Sequence, residues 1–503
     1  MFKLLEISLL SLVSMGMPLK ISDSVVELPN EHQTPKMITM NLYSDSASQM
    51  AFRWNTDYRA DSDLQVIKAS DGDFNSANLL EFSGKTEKSR VQNDGFIHSV
   101  VATDLEKNTK YLYRLGDKEL NLWSDVGSFT TENDNEYTSF LHISDPQVME
   151  ELHSSTYSEL LGKITSEVDL DFMCVSGDLV NSSWVDHNPI LEQWDLALTN
   201  QAEYLQNIPM MAVAGNHEAA DYDFASRFNL PIDDLNQDVK SGVYYSYDYH
   251  NIHFICLNTN DTLNPNSPTD ATGLSNAQIE WLKNDLEKSK DAEWKIVMMH
   301  KGIYDAGSHA SNKDGEDYDI ALIRKQLAPL FSKYNVDLVL QGHDHLYSRS
   351  YPIESSINNN ELVSKTKEEE VIELSHDDQT YRGYLNPSGP IYVNTGSASG
   401  SKYYGVTDYD SKVMPIEKAY GPNNRMLTSY YVEDNTLYAN VYEIVNGELS
   451  LYDTFAIKKE QVHVSDDKVF IKVIFIVTSV IVSCGAGVGL FFVLNKDKYK
   501  EGN

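Results

Sequence analysis

Two short runs decide how this chain folds: Ala214-Gly-Asn216-His217-Glu218 and Gln341-Gly-His343-Asp-His345. Each follows an apolar run with strand character, Met210–Val213 and Asp337–Leu340. Working outward, three more apolar runs end the same way. Phe140–Ile143 leads into Ser-Asp145-Pro-Gln147, Phe172–Val175 into Ser176-Gly-Asp178-Leu-Val-Asn181, and Ile296–Met299 into His300. Carboxylates, imidazoles and an amide are donors for hard or borderline cations. Donors gathered at the carboxyl ends of strands are where open α/β sheets place their sites. Glycines immediately before Asp178, Asn216 and His343 permit sharp exits and close backbone approach. A single Gly-Asp or Asn-His pair reads as a turn, whereas five such elements in strand order read as one constellation. The mix suits two cations a few ångströms apart, with a carboxylate such as Asp178 between them and positions left open for water and substrate.

The rest of this region alternates strands with helices. Ser275-Asn-Ala-Gln278 has the form of a capping box ahead of a helix carrying Ile279, Trp281, Leu282 and Leu286, and Ile320–Phe331 is a second helical segment. Together with a sixth apolar strand, His253–Leu257, this predicts an α/β layered domain. From Thr39 to Thr131 the pattern differs. Short β-rich runs such as Met50–Trp54, His98–Ala102 and Tyr111–Leu115, separated by turn residues, predict an all-β sandwich that serves as a spacer. The polar Glu-Asn-Asp-Asn-Glu run before Tyr137 marks a linker. The polar stretch 355–380 is expected to be an exposed excursion. The later β-rich runs Pro390–Asn394 and Leu437–Tyr442 are expected to complete a second sheet.

Over 503 residues, 41% hydrophobic side chains exclude wholesale disorder. The 75 acidic against 40 basic residues give a net charge of −35, which repels nucleic-acid backbones. A phosphorylated substrate must therefore be drawn in by a local positive feature such as metal ions. Three cysteines make no disulfide framework, and Cys174, Cys256 and Cys484 read as small buried hydrophobes.

Both ends point to a membrane. Val473 to Leu494 carry no charged side chain and, at about 1.5 Å per residue, span roughly 33 Å. Lys496, Lys498 and Lys500 then place the tail, 495–503, in the cytoplasm. Residues 1–22, with Lys3 before the apolar Ile7–Met17, read as a signal peptide or an uncleaved anchor. The expected location is the cell membrane, single-pass, with the large domain extracellular.

The five elements resemble the signature of the calcineurin-like metallophosphoesterase superfamily: Asp-x-His or a variant, Gly-Asp, Gly-Asn-His-(Asp/Glu), a strand-end His and Gly-His-x-His. With Leu105–Gly116, Trp123-Ser and Phe129–Thr131 resembling a fibronectin type III-like module, the chain looks most like the purple acid phosphatases. The resemblance implies an α/β fold in which a fibronectin III-like sandwich (36–132) precedes a four-layer αββα metallophosphoesterase domain (137–457), followed by one transmembrane helix (473–494). It implies two metal ions, one held by Asp145, Asp178 and His345, the other by Asp178, Asn216, His300 and His343. His217 would face the substrate phosphate and leaving group as a catalytic residue. His309 falls where plant members place a substrate-contacting histidine.

Two positions depart from the family pattern. Asn181 stands where purple acid phosphatases carry a tyrosinate ligand, and Gln147 stands where other members carry a histidine. Gln147 either ligates through its carbonyl or orients a neighbouring ligand; Asn181 reads as a turn residue or a support behind the ligands. Loss of an anionic phenolate disfavours a ferric ion, so divalent Fe, Mn or Zn becomes more plausible. The implied activity is acid-phosphatase-like hydrolysis of small phosphomonoesters by a metal-bound hydroxide. The alternatives are a phosphodiesterase or nucleotide pyrophosphatase on the same scaffold, and a non-catalytic surface adhesion protein.

Overall fold

The computed structural model describes residues 33–460, apart from 92, 136, 182–186, 221, 263–272, 311–317 and 422. The expected terminal segments, 1–22 and 473–503, lie outside the described residues. Among the described residues no helix is long and apolar enough to cross a membrane.

The N-terminal part is a sandwich of two sheets. Lys36–Leu42, Met50–Thr56, Phe96–Ala102 and Lys85–Lys88 form one. Leu80–Ser83, Asp63–Lys68, Lys110–Asp117 and Leu122–Trp123 form the other, with Gly127–Thr130 pairing along Lys110–Asp117. Alternate residues point inward, so Phe52 meets Tyr113 at 4.6 Å and Phe129 at 5.9 Å between ring centroids.

This module is more than a spacer, because its core is continuous with that of the second part. Asn41 Nδ2 donates to Met210 O at 2.6 Å, and Asn229 Nδ2 donates to Phe52 O and Val100 O at 3.3 and 3.2 Å. The fully buried Arg227 donates to Asp94 Oδ1 at 2.9 Å, while Thr39 Oγ1 donates to Arg227 O. The sandwich thereby clamps the segment that follows His217. A spacer reading failed here because polar residues such as Asn41 and Asp94 carry no sign of where their partners lie.

The second part has four layers. One sheet of eight strands runs Met210–Ala212, Phe172–Val175, Tyr137–Ile143, Met426–Glu433, Thr436–Val445, Glu448–Lys458, Gln379–Leu385, Glu370–His376. A sheet of seven runs Tyr245–Tyr249, Ile252–Cys256, Trp294–Lys301, Leu338–Gly342, Ile391–Thr395, Tyr347–Ser350, Ile416–Tyr420. Their inner faces meet through Phe140, Phe172, Phe254 and Tyr247, with Phe140 edge-on to Phe254 at 5.3 Å. Cys174 and Cys256 are buried free thiols. Helix Glu151–Glu167 covers the first sheet with Tyr157, Leu160, Leu161 and Ile164. Helices Asn276–Lys288 and Tyr318–Lys333 cover the second with Trp281, Leu282, Leu286, Ile323, Leu327 and Phe331.

Two local expectations change and one is refined. The stretch 355–380 is largely exposed, as expected, and is built as a hairpin, Glu354–Asn358 with Glu361–Lys365, and an edge strand Glu370–His376. Its signal was a weak alternation, Ile372, Leu374 and His376 facing one way, hidden among charges that suit an edge. The runs around Ile391 and Leu437 join different sheets: Ile391 pairs parallel with Leu338, and Leu437 pairs antiparallel with Val432. The capping box is half formed. Ser275 Oγ accepts from Gln278 N, but the Gln278 side chain turns away to pair with Asn258 N and O, tying the helix to the preceding strand.

An ion network around the buried His253 gives a pH dependence. His253 bridges Asp248 Oδ1 at 2.6 Å and Asp285 Oδ2 at 2.9 Å. Burial alone would lower its pKa, but hydrogen bonds to both carboxylates outweigh that and push it up to about 9. A raised folded-state value means this stabilisation is complete below about pH 6.5 and lost as pH rises through about 9, on the order of 3 kcal/mol. Melting curves from pH 6 to 10 should show this decline in the wild type and a flatter profile in His253→Gln.

Candidate metal centre

Five strand exits converge between the carboxyl ends of the two sheets. Asp145 follows Tyr137–Ile143, Asp178 follows Phe172–Val175, and Asn216 and His217 follow Met210–Ala212. His300 sits near the end of Trp294–Lys301, and His343 and His345 follow Leu338–Gly342. The chain turns abruptly at these exits. Asp145, Gln147, Asp178 and His343 have φ of 48°, 39°, 52° and 77°, left-handed conformations that non-glycine residues seldom adopt and that cluster at functional sites. Gly215 is required by proximity, since a Cβ there would run into the Asp178 carboxylate.

Two groups of donors result, each with its ligand atoms within 4.8 Å of one another: Asp178, His300 and His343, and Asp145, Asp178 and His345. Asp178 is common to both. His300 Nε2 lies 3.4 Å from Asp178 Oδ2 and 3.0 Å from Asn216 Oδ1; His345 Nε2 lies 3.3 Å from Asp145 Oδ1. The rings are oriented from behind. His300 Nδ1 donates to Ser176 O at 2.8 Å and His345 Nδ1 to Lys402 O at 3.2 Å, which leaves each Nε2 facing the carboxylates.

The residues present fit two cations. Asp145 Oδ1 is buried without a hydrogen-bond donor among the described residues, and Asp145 and Asp178 are at most 1% exposed. Buried anions of this kind require compensating positive charge. Burial would raise the Asp178 pKa, but His300 and His217 hold it well below the carboxylate range. Burial, with His300 and His309 nearby, pushes His343 well below its ordinary value, so that ring is neutral, the form that binds a metal. Glu218 makes the same point. It accepts from Gly215 N at 2.8 Å, Val180 N at 2.9 Å and Asp178 N at 3.1 Å, as a carboxylate does. Yet burial and the Asp178 charge push its pKa up to about 8, a conflict that adjacent cations remove.

His217 donates its N–H to Asp178 Oδ1 at 3.0 Å, its Nδ1 bonds Asn181 O, and its Nε2 lies 3.9 Å from Asp178 Oδ2. Burial lowers its pKa, Asp178 opposes this, and the Lys402 charge lowers it further. Asn181 thus supports His217 through its main chain, and its buried Oδ1 has no hydrogen-bond partner among the described residues. Gln147 Nε2 donates to Asp178 Oδ2 at 2.9 Å, the orienting arrangement, with Oε1 buried and without a partner among the described residues. The His309 ring lies 4.3 Å from that of His343, and its main-chain N–H donates to Asp344 Oδ1 at 3.3 Å.

All the expected site residues therefore meet at one place. Matched family models are calcineurin-like phosphoesterase over residues 138–347 and the purple acid phosphatase N-terminal domain over 35–131. The chain thus carries a calcineurin-like phosphoesterase domain behind a purple acid phosphatase N-terminal domain. It is 26% identical over 337 residues to purple acid phosphatase 23 of Arabidopsis thaliana, covering 60% of this chain and 62% of the relative. It is 28% identical over 331 residues to acid phosphatase type 7 of Danio rerio, covering 60% and 65%. The matches thus span just under two thirds of these relatives. A purple acid phosphatase from yellow lupin seeds has the same fold, with TM-score 0.64 and 17% identity over 85% of this chain and 75% of that one. The family uses two metal ions, in keeping with the two donor groups.

Three contributors carried no assignment in the sequence. Glu218 was legible only as a letter in the Gly-Asn-His-Glu motif. Asp344 was the spacer between His343 and His345. Tyr404, whose ring stacks on His345 at 4.6 Å, comes from a loop with no motif at all. Glu218→Gln should weaken metal affinity by roughly 10- to 100-fold, as for other groups that orient ligands, which a chelator competition titration will read.

Proposed function

We propose that the protein is a dinuclear metal-dependent phosphatase hydrolysing small phosphomonoesters, with an acid-phosphatase-like site. The observation that carries this reading is Asp178 shared between two donor groups, with His217 beside it on the open side. Asp145, Asp178 and His345 hold one metal; Asp178, Asn216, His300 and His343 hold the other. When bound, the metal ions supply positive charge to the phosphoryl oxygens and an acidified water. The chain's own residues do the rest. Gln147 and Glu218 fix the Asp178 loop, and Asn181 O fixes the His217 ring so that Nε2 points to the leaving oxygen and protonates it. His309, beside His343, contacts the phosphate. Phosphoryl transfer asks mainly for positioning and charge, and this site supplies both.

Rates on p-nitrophenyl phosphate and bis-p-nitrophenyl phosphate, with metal analysis of the same preparation, test the reading. A monoester preference with two metals per chain supports it. A diester preference would favour a phosphodiesterase, and metal-free, inactive protein would leave only a surface binding role.

The apolar run Val473–Leu494 anchors the chain in the cell membrane with the metal centre outside. Truncation before Val473 should release soluble, active protein, because every proposed ligand lies upstream. Persistent membrane association of the truncated chain would assign anchoring to residues 1–22 instead.

A further inference from the structure

Behind the metal centre lies a buried polar group that the proposed reaction does not use. Asn394, in strand Ile391–Thr395, sits beside Gln341 in parallel register and is fully buried. Its Nδ2 faces three oxygens: Asp305 Oδ2 at 2.6 Å, Asp344 O at 2.5 Å and Gly342 O at 3.2 Å. Two are carbonyls, and the third belongs to Asp305, which already accepts from Ser348 Oγ and Ala306 N, each at 2.6 Å. A side-chain amide, with two N–H groups, suits such a place. Asn394 Oδ1 accepts from Gly396 N at 3.0 Å, which fixes the orientation of the amide.

The two carbonyls flank His343: Gly342 precedes it, and Asp344 separates it from His345. His343 belongs to one donor group and His345 to the other, so this single turn sets where one metal position lies relative to the second. The turn is strained, with His343 at φ 77°, and such a conformation persists only where its surroundings over-determine it. Within the turn, Asp344 N donates to Gly342 O at 3.0 Å and Leu346 N to Asp344 O at 2.8 Å. Asn394 adds a tie to both carbonyls from a different strand. It also leads into the loop whose Ser397 Oγ donates to Asp145 O at 3.0 Å, and through Asp305 it reaches the segment between His300 and His309. We propose that Asn394 is a positioning residue of the dinuclear centre described above, on which this inference rests: by holding Gly342 O and Asp344 O it sets the spacing of His343 and His345, and with it the affinity of both metal positions. It touches neither metal nor substrate.

The test separates this role from what the Asp305–Asn394 pair contributes to the fold. Wild type, Asp305→Asn, Asn394→Asp and the double variant Asp305→Asn/Asn394→Asp are titrated with Zn²⁺ against a chromophoric chelator, and the Tm of each is measured without metal. Asn394→Asp sets a carboxylate against three oxygens. It should melt lower and bind both Zn²⁺ ions roughly 10- to 100-fold more weakly, the range for groups that orient ligands. The double variant re-forms the pair with donor and acceptor exchanged, so it should regain much of the lost Tm. Its Zn²⁺ affinity should stay low, because no donor then faces Gly342 O and Asp344 O. Asp305→Asn leaves the Asn394 amide against both carbonyls and should keep Zn²⁺ affinity within about threefold even where it melts lower. Affinity that returns with stability in the double variant, is unchanged in Asn394→Asp, or falls as far in Asp305→Asn would overturn the assignment. Should the Asn394→Asp variants fail to fold, Asn394→Ser, smaller and neutral, is compared with Asp305→Asn, and the same contrast decides. Wild type that binds fewer than two Zn²⁺ would overturn the assignment together with the dinuclear centre. Two bound Zn²⁺ without hydrolysis of either nitrophenyl ester would remove the phosphatase reading alone, and the affinities would still decide the role of Asn394.

Discussion

Asp178→Asn is expected to abolish hydrolysis and to strip metal from the protein. The side chain keeps its shape, so the loss comes from charge. Asp178 lies in both donor groups, holds the His217 N–H on Oδ1 and receives Gln147 on Oδ2. A neutral amide there leaves two cations facing each other with one anion fewer between them, and its NH2 would point at a cation or a donor. The cost should exceed the roughly 100-fold upper end for residues that only orient ligands. Metal content by elemental analysis and rates on p-nitrophenyl phosphate measure the two effects together. Near-normal metal with near-normal turnover would remove Asp178 from the bridging position. Circular dichroism of the same sample separates this from misfolding, since Asp178 sits at a left-handed exit that Asn also tolerates.

The second large effect belongs to His217. His217→Ala should lower kcat by roughly 10²- to 10⁴-fold, the range for a positioned general acid, while both metals stay bound. Metal retention follows from the geometry: His217 reaches Asp178 with its main-chain N–H, which alanine keeps, and its Nε2 is 3.9 Å away from the nearest carboxylate oxygen. The loss should shrink as the leaving group improves, because a good leaving group departs with little protonation. A series of aryl phosphates of graded phenol acidity gives the slope. An equal loss across the series would assign His217 to phosphate contact and take the acid role away.

Much of this site is legible in the chain because its ligands are local features of strand ends. An apolar strand run, a glycine and a donor at the exit are contiguous at Asp178, Asn216 and His343, while His300 directly ends its apolar run and His345 follows His343 by two residues. Their convergence follows from parallel strands entering the sheets in the same direction, as Phe140–Phe172 and Ile296–Leu338 pairing shows. The alternating pattern likewise indicates the β sandwich and the four layers, since periodicity records which face is buried.

What the sequence by itself determined, then, is the inventory: which strands, which donors, and the order in which they reach the site. What only the tertiary structure decided is every relation between side chains far apart in the chain. The orienting bond from Gln147 to Asp178, the three N–H groups held by Glu218 and the Arg227–Asp94 tie between sandwich and catalytic layers all depend on distance in space. So does the placement of Lys402 and Tyr404 around His345, nearly sixty residues from it along the chain. The physical reason is that a polar side chain's partner leaves no period in the sequence. Burial of apolar faces is a repeating property read from neighbours, whereas a hydrogen bond or a charge pair is a single event set by the packing of elements against each other.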